Sequence, residues 1–260
     1  MPTAAPVASL PMYDWPEVRW ATDALWSAVA ERLRDAGIPA PDALDRSRDV
    51  EAVWRDPRLV LSQTCGFPYA TRLIDSVSYV ATPVYGVEGC EGPLYSSAIV
   101  ARRDETEAAL AEFAGRRVAF NARNSLSGHV ALVAAMREGD LSPDMFDWIE
   151  TGGHRASTSA VAAGDADLAA VDAVCWTLAR RFDAEAVSGL HVVGQTPLRP
   201  ALPFITSAKW SEGEVRTVGT ALADALADPE TKDVRAALLL TGVEVLAPAH
   251  YRPLASLISG

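Results

Sequence analysis

Positive charge is scarce in this 260-residue chain: 23 lysines and arginines stand against 34 aspartates and glutamates, for a formal net charge of −11. The acidic excess is spread along the chain without a basic run, which argues against a nucleic-acid backbone or an anionic membrane surface as a partner. A small anion stays open, because salt screens global charge beyond roughly 8 Å and local amides and hydroxyls decide binding. Cysteine is scarce too. Cys65, Cys90 and Cys175 are far apart and odd in number, so they offer neither a disulfide framework nor metal-ligand spacing, and they fit a reducing compartment. Of the four histidines, His129, His191 and His250 show no metal-ligand spacing, and no cofactor is expected. No apolar run approaches the roughly 20 residues that would span a bilayer. Met1 to Leu10 has neither a basic segment nor a long apolar one. The chain as it stands therefore reads as cytoplasmic, or as periplasmic if an upstream signal has been removed.

What is present is a soluble globular composition long enough for one large or two modest domains. Val7 to Met12 reads as a first strand, and Pro16-Glu17 open a helix whose stripe is Trp20, Leu25, Trp26, Val29 and Leu33, ended by Gly37 and Pro39. A short helix from Val50 to Arg55 precedes a strand at 58–63, a loop at 64–68 and a further helix from Tyr69. Strands follow at 76–83 and 95–101, then a polar helical stretch from Arg102 to Glu112. From there strands at 117–121, near 149–150 and at 168–172 alternate with helices at 128–138, 155–163 and 173–182, and a strand returns at 190–194. Such alternation implies a parallel sheet with ligands at the carboxyl ends of its strands. Another strand-like run at 202–206 opens a mainly helical tail. The expected architecture is α/β and two-lobed: residues 1–100 with 200–260 form lobe I, and residues 101–199 form an inserted lobe II.

The run Asn124-Ser125-Leu126-Ser127-Gly128-His129 lies where a strand turns into a helix. Two readings compete there. Ser125 or Ser127 is an ordinary N-cap, or the two hydroxyls, the glycine and the unpaired first-turn amides hold an oxyanion. Downstream, Gly152-Gly153-His154 precedes a helix rich in small residues, and Asp172 ends a strand. All three pieces fall at successive strand ends of one sheet.

In order, Asn124-Ser125-Leu126-Ser127-Gly128, Gly153-His154, Ala160-Val161 with Gly164-Asp165-Ala166-Asp167, Asp172, and Thr196-Pro197-Leu198-Arg199-Pro200 resemble the motifs of the phosphate/phosphite/phosphonate-binding proteins of ABC transporters. The match runs through most of the middle lobe and more weakly through Leu61 to Gly66 and Gly92 to Val100. The resemblance implies a type II periplasmic-binding-protein fold, a mixed sheet flanked by helices in each lobe, closing like a clamp on a tetrahedral oxyanion in an interlobe cleft. It implies ligand contacts from Ser125, Leu126 through its amide, Ser127, Gly128 and His154, and an ABC permease as partner.

Departures from the family pattern narrow the ligand. Leu126 stands where a second hydroxyl is frequent, and Cys65 stands where an aromatic hydroxyl precedes Gly66, with Thr64 and Gln63 as substitutes. Carboxylates that would hold the ammonium group of an aminophosphonate are replaced by Val174 and by Ala201-Leu202. Phosphate, phosphite, methylphosphonate or another small oxyanion remains.

The other candidates carry two readings each. Asp172 pairs with the ligand or His154, or caps the helix after it; Tyr13 reaches the ligand from the first lobe, or packs; Arg46 and Arg48 face an anion, or form a solvated pair. Competing functions are a cytoplasmic sensor with a signalling partner, and a small-molecule enzyme on the same scaffold. The enzyme has thin support, since no nucleophile and base stand at a recognisable spacing.

Overall fold

The computed structural model describes residues 5–105 and 109–258. Two compact units divide it: residues 1–86 with 200–252, and residues 87–199 with 253–260. The first crossing thus falls at 86/87 rather than at 100/101, and the strand Ser97–Arg102 lies inside the second unit's sheet.

The first unit is built on a five-stranded sheet in the order Val7–Ser9, Leu59–Gln63, Phe204–Ser207, Val77–Tyr85, Leu240–Glu244. Val7–Ser9 and Leu59–Gln63 run parallel, whereas Phe204–Ser207 is antiparallel to both of its neighbours. The C-terminal segment is mainly helical after its first strand, as expected, but it supplies the central strand and, with Leu240–Glu244, one edge as well. Leu240–Glu244 escapes a sequence reading because Gly242 interrupts its alternation and the register shifts at Leu240/Gly242. The helix Arg19–Asp35 buries Leu25, Trp26, Val29 and Leu33. Trp20, expected on that stripe, is 54% exposed; five residues before Leu25, it lies about 140° around the helix from it. The helix begins at Arg19, after a turn at Trp15–Val18, and Gly37 ends it with φ of 80°. The 64–68 segment is only partly a loop, since Gly66–Pro68 is already helical and leads into the π-helical turn Tyr69–Leu73.

The second unit's sheet has the order Leu190–Gln195, Ser97–Arg102, Leu168–Asp172, Arg117–Phe120, Asp147–Glu150. Arg117–Phe120 is parallel to both of its neighbours, as the βα alternation requires. Ser97–Arg102 is antiparallel to Leu168–Asp172 and to Leu190–Gln195, so the sheet is mixed rather than parallel. A strand can keep its direction only if a crossover carries the chain back to the starting end, and among the described residues none joins Arg102 to Arg117. The polar helix expected from Arg102 to Glu112 is replaced by a turn and the short 3₁₀ segment Leu110–Phe113, with 106–108 outside the described residues. Among its described residues, Phe113 is buried in the core and Leu110 packs against it.

The core of this unit sets the position of the candidate site. Ile99 and Ala101, Leu168 and Ala170, and Val118 alternate along their strands toward one face. Leu132 and Met136, four residues apart on the helix Ala131–Glu138, pack against that face. This packing holds the helix start, residues 125–130, at the carboxyl end of Arg117–Phe120. Among the described residues, no helix is long and apolar enough to cross a membrane.

Candidate functional site

The turn after Phe120 is closed by the Ser125 amide donating to the Ala122 carbonyl (3.0 Å). Ser125 then caps the helix: its Oγ accepts the Gly128 amide at 3.2 Å. The first turn, Leu126–Val130, is π-helical, with Val130 N bonded to Ser125 O. A π turn is wider than an α turn, and such turns gather at functional sites. Ser125 and Ser127 are both buried, and their hydroxyl oxygens lie 3.5 Å apart. Ser97 Oγ donates to the Ser127 carbonyl at 2.9 Å, tying this turn to the neighbouring strand.

His154 opens the helix His154–Ala163, whose N-cap Gly153 brings no side chain to its first amides. Gly152, with φ of 85°, turns the chain into it, a conformation that only glycine adopts freely. The imidazole Nε2 meets Ser127 Oγ at 2.9 Å. Two helix N-termini are thus joined by one hydrogen bond, and each of these ends carries a partial positive charge. Burial pushes His154 down to about 4, against a weaker opposing pull from the Ala170 backbone, so the ring is neutral at pH 7. Nδ1 is buried with no partner in hydrogen-bonding geometry. In the tautomer with the proton on Nε2, Ser127 accepts from the ring and its own hydroxyl hydrogen is left to donate elsewhere.

A neutral ring in the folded state has a pH consequence. The unfolded chain protonates His154 below about pH 6.5, but the folded chain does so only near pH 4, so stability falls as pH drops through that window. His129, also lowered by burial, adds to the same slope, so the comparison has to be made by difference. Chemical melts at pH 7 and pH 4.5 should show His154→Gln losing less stability than the wild type, on the order of 2 kcal/mol less. Equal losses in the two proteins would contradict a buried neutral ring. A separate acid limit lies lower, where Asp45 and Asp167, held near 2 by their arginine partners against burial, take up protons.

Asp172 ends the strand Leu168–Asp172, 1% exposed, and its Oδ1 accepts the amides of Val174 (2.8 Å) and Cys175 (3.3 Å). This carboxylate caps the helix Ala173–Phe182, so here the end of the helix dipole already has its anion. Asp172→Ala should lower stability by about 1–2 kcal/mol and Asp172→Asn should recover most of it; thermal melts in which the two variants fall together would refute the capping role. Burial, with Asp172 nearby, pushes the Cys90 thiol up to about 12 and Cys175 well above the usual thiol range, so neither is a thiolate at pH 7.

In the first unit, Tyr13 is buried with its ring edge-on to Tyr85 at 5.3 Å, beside a small cavity that Gln63 also lines. Gln63 Nε2 donates to Tyr85 Oη and to the Leu202 carbonyl, both at 3.1 Å. Thr64 is fully buried just before the helix at Gly66, its Oγ1 3.4 Å from the Cys65 carbonyl. Arg46 pairs with Asp14 and Asp23, and Arg48 with Asp45 and Asp56, so both guanidinium groups are already neutralised. His129 rests edge-on against Trp148 and donates from Nδ1 to the Arg123 carbonyl at 3.1 Å, a structural role.

The structure thus brings Ser125, Ser127, Gly128 and His154 together, and spends Asp172 on a cap. Sequence reasoning missed Ser97, which fixes the Ser127 carbonyl, and Asn121, whose side chain lies against Gly128. Asn121 stands three residues before the motif, but nothing in its local pattern marks it.

The family of periplasmic substrate-binding proteins of phosphonate ABC transporters matches residues 59–251. The chain belongs to this family. It is a family of binding proteins rather than enzymes, and a periplasmic one. The fold is shared with solved structures across almost the whole chain. One is XAC2383 from Xanthomonas citri bound to ATP, 16% identical, covering 99% of this chain and 98% of that one with a TM-score of 0.75. Another is PhnD1 from Prochlorococcus marinus in complex with methylphosphonate, 13% identical, covering 97% and 96% with a TM-score of 0.74. A third is the binding protein component of an ABC phosphonate transporter from Pseudomonas aeruginosa, 16% identical, covering 97% and 85% with a TM-score of 0.71. These likenesses place the chain in the two-lobed type II periplasmic-binding-protein fold. No curated protein sequence matches it.

Proposed function

We propose that this protein binds a small tetrahedral oxyanion, namely phosphate, phosphite or a simple phosphonate, as the solute-binding component of an ABC transporter, delivering it to a permease. The observation that carries the reading is the 2.9 Å contact between Ser127 Oγ and His154 Nε2. It joins the starts of two helices, and two like-signed helix ends held together are relieved by an anion placed between their amides. Hydroxyls of Ser125 and Ser127, the amides of Leu126 and Gly128, and the imidazole of His154 form the cradle. Thr64 offers the same kind of donor in the first unit, a hydroxyl at a helix start.

The donors are neutral, which suits an anion that must be released as readily as it is held. Val174 is buried and apolar at a place where an aminophosphonate would need a carboxylate, as are Ala201 and Leu202, so a plain oxyanion fits better than 2-aminoethylphosphonate. Methylphosphonate bound to PhnD1 from Prochlorococcus marinus supports the same class. Titration calorimetry with methylphosphonate, phosphite, phosphate, 2-aminoethylphosphonate and sulfate tests the assignment. Binding confined to the aminophosphonate, or no binding of any of them, overturns it.

A further inference from the structure

We propose that Asn121 is a positioning residue for the oxyanion cradle, acting through the ring of His154; this rests on the function proposed above. The observation is a crowded glycine. A Cβ placed on Gly128 would lie 2.1 Å from Asn121 Oδ1, 2.9 Å from Asn121 Cγ and 3.1 Å from His154 Cε1. The amide of Asn121 and the carbon between the two imidazole nitrogens therefore flank one backbone position, the position whose amide Ser125 caps.

Oδ1 of Asn121 is buried and has no hydrogen-bond partner. An unpaired buried carbonyl is normally selected against, because its desolvation is uncompensated. Here the oxygen lies against the Cα of Gly128. The Gly128 Cα–H is a weak donor, and an amide oxygen is the acceptor that suits it. The main chain holds the residue in place, with the Asn121 carbonyl accepting the Gly152 amide at 3.0 Å. The side chain thus stands against the one backbone position, Gly128, that the imidazole also meets. A ring kept from swinging about its Cβ–Cγ bond presents Nε2 to Ser127; a ring without that neighbouring side chain loses that aim.

Because Oδ1 makes no hydrogen bond, truncation to alanine removes no partnered group and should leave the fold intact. Three readouts on Asn121→Ala decide the matter: calorimetry with methylphosphonate and phosphite, thermal melting, and the imidazole ¹⁵N resonances of His154. The expected result is about tenfold or greater weakening of binding, a melting temperature within about 3 °C of wild type, and shifted His154 nitrogen signals. Wild-type affinity overturns the proposal. So does weakened binding with unmoved His154 signals, since the effect would then not pass through the ring, and so does a fall in melting temperature large enough to account for the loss. If the wild-type protein binds neither anion, it is the function that fails, and the ¹⁵N signals of the unliganded variant still report whether Asn121 orients the ring.

Discussion

Replacing Gly128 by alanine should destabilise the second unit by about 1–3 kcal/mol and abolish measurable oxyanion binding. The added methyl would stand 2.1 Å from Asn121 Oδ1 and 2.9 Å from its Cγ, with His154 Cε1 at 3.1 Å. Moving the oxygen alone does not relieve this, because Cγ is also too close and moves only with a new χ1. Moving His154 breaks the hydrogen bond to Ser127. Either way the serine turn shifts against the histidine helix, and a cradle defined by hydrogen-bond lengths does not tolerate a displacement of that size. Trimming the obstacle separates the two effects. Gly128→Ala combined with Asn121→Ala should regain most of the wild-type melting temperature without regaining full affinity, as the Asn121 amide is then missing. A single Gly128→Ala variant that melts and binds like wild type would show that the packing around this glycine is not what shapes the site.

Ser127→Ala is expected to weaken methylphosphonate and phosphite binding by about ten- to a hundredfold, the equivalent of one or two hydrogen bonds to an anion. The variant removes a hydroxyl donor, and it also leaves His154 without its 2.9 Å partner while Nδ1 already lacks one. Stability should change by only about 1 kcal/mol, because no core volume is lost. If serine and histidine work as a pair, His154→Ala and the double variant will cost little more than either single change, and a double-mutant cycle will show coupling of the order of 1 kcal/mol. Strictly additive losses would mean that the two residues contact the anion independently.

The turns that build the candidate site were legible in the sequence because its groups sit at helix starts, and helix starts are local events. Ser125 before a glycine, Gly152-Gly153 before His154, and Asp172 before an apolar helix each declare a turn through their own chemistry. The capping reading of the serine motif holds for Ser125, and it leaves Ser127, two residues on, turned toward His154. What stayed hidden was non-local. Asn121 meets Gly128 and His154 only after the chain has folded, so neither spacing nor composition reveals it. The direction of Ser97–Arg102 depends on whether a crossover follows, and the charged stretch after it sets Leu110 and Phe113 against the core from a 3₁₀ turn rather than an α-helix. Leu240–Glu244 is a strand because Val77–Tyr85 offers an open edge, not because its own sequence alternates.

Titration of the wild-type protein with methylphosphonate and phosphite, beside Ser127→Ala, addresses the central claim most directly. The structure predicts one anion bound per chain in the wild type and binding at least about tenfold weaker in the variant at an unchanged fold. No uptake of any tetrahedral oxyanion by the wild type, or equal affinity in the two proteins, would contradict the account.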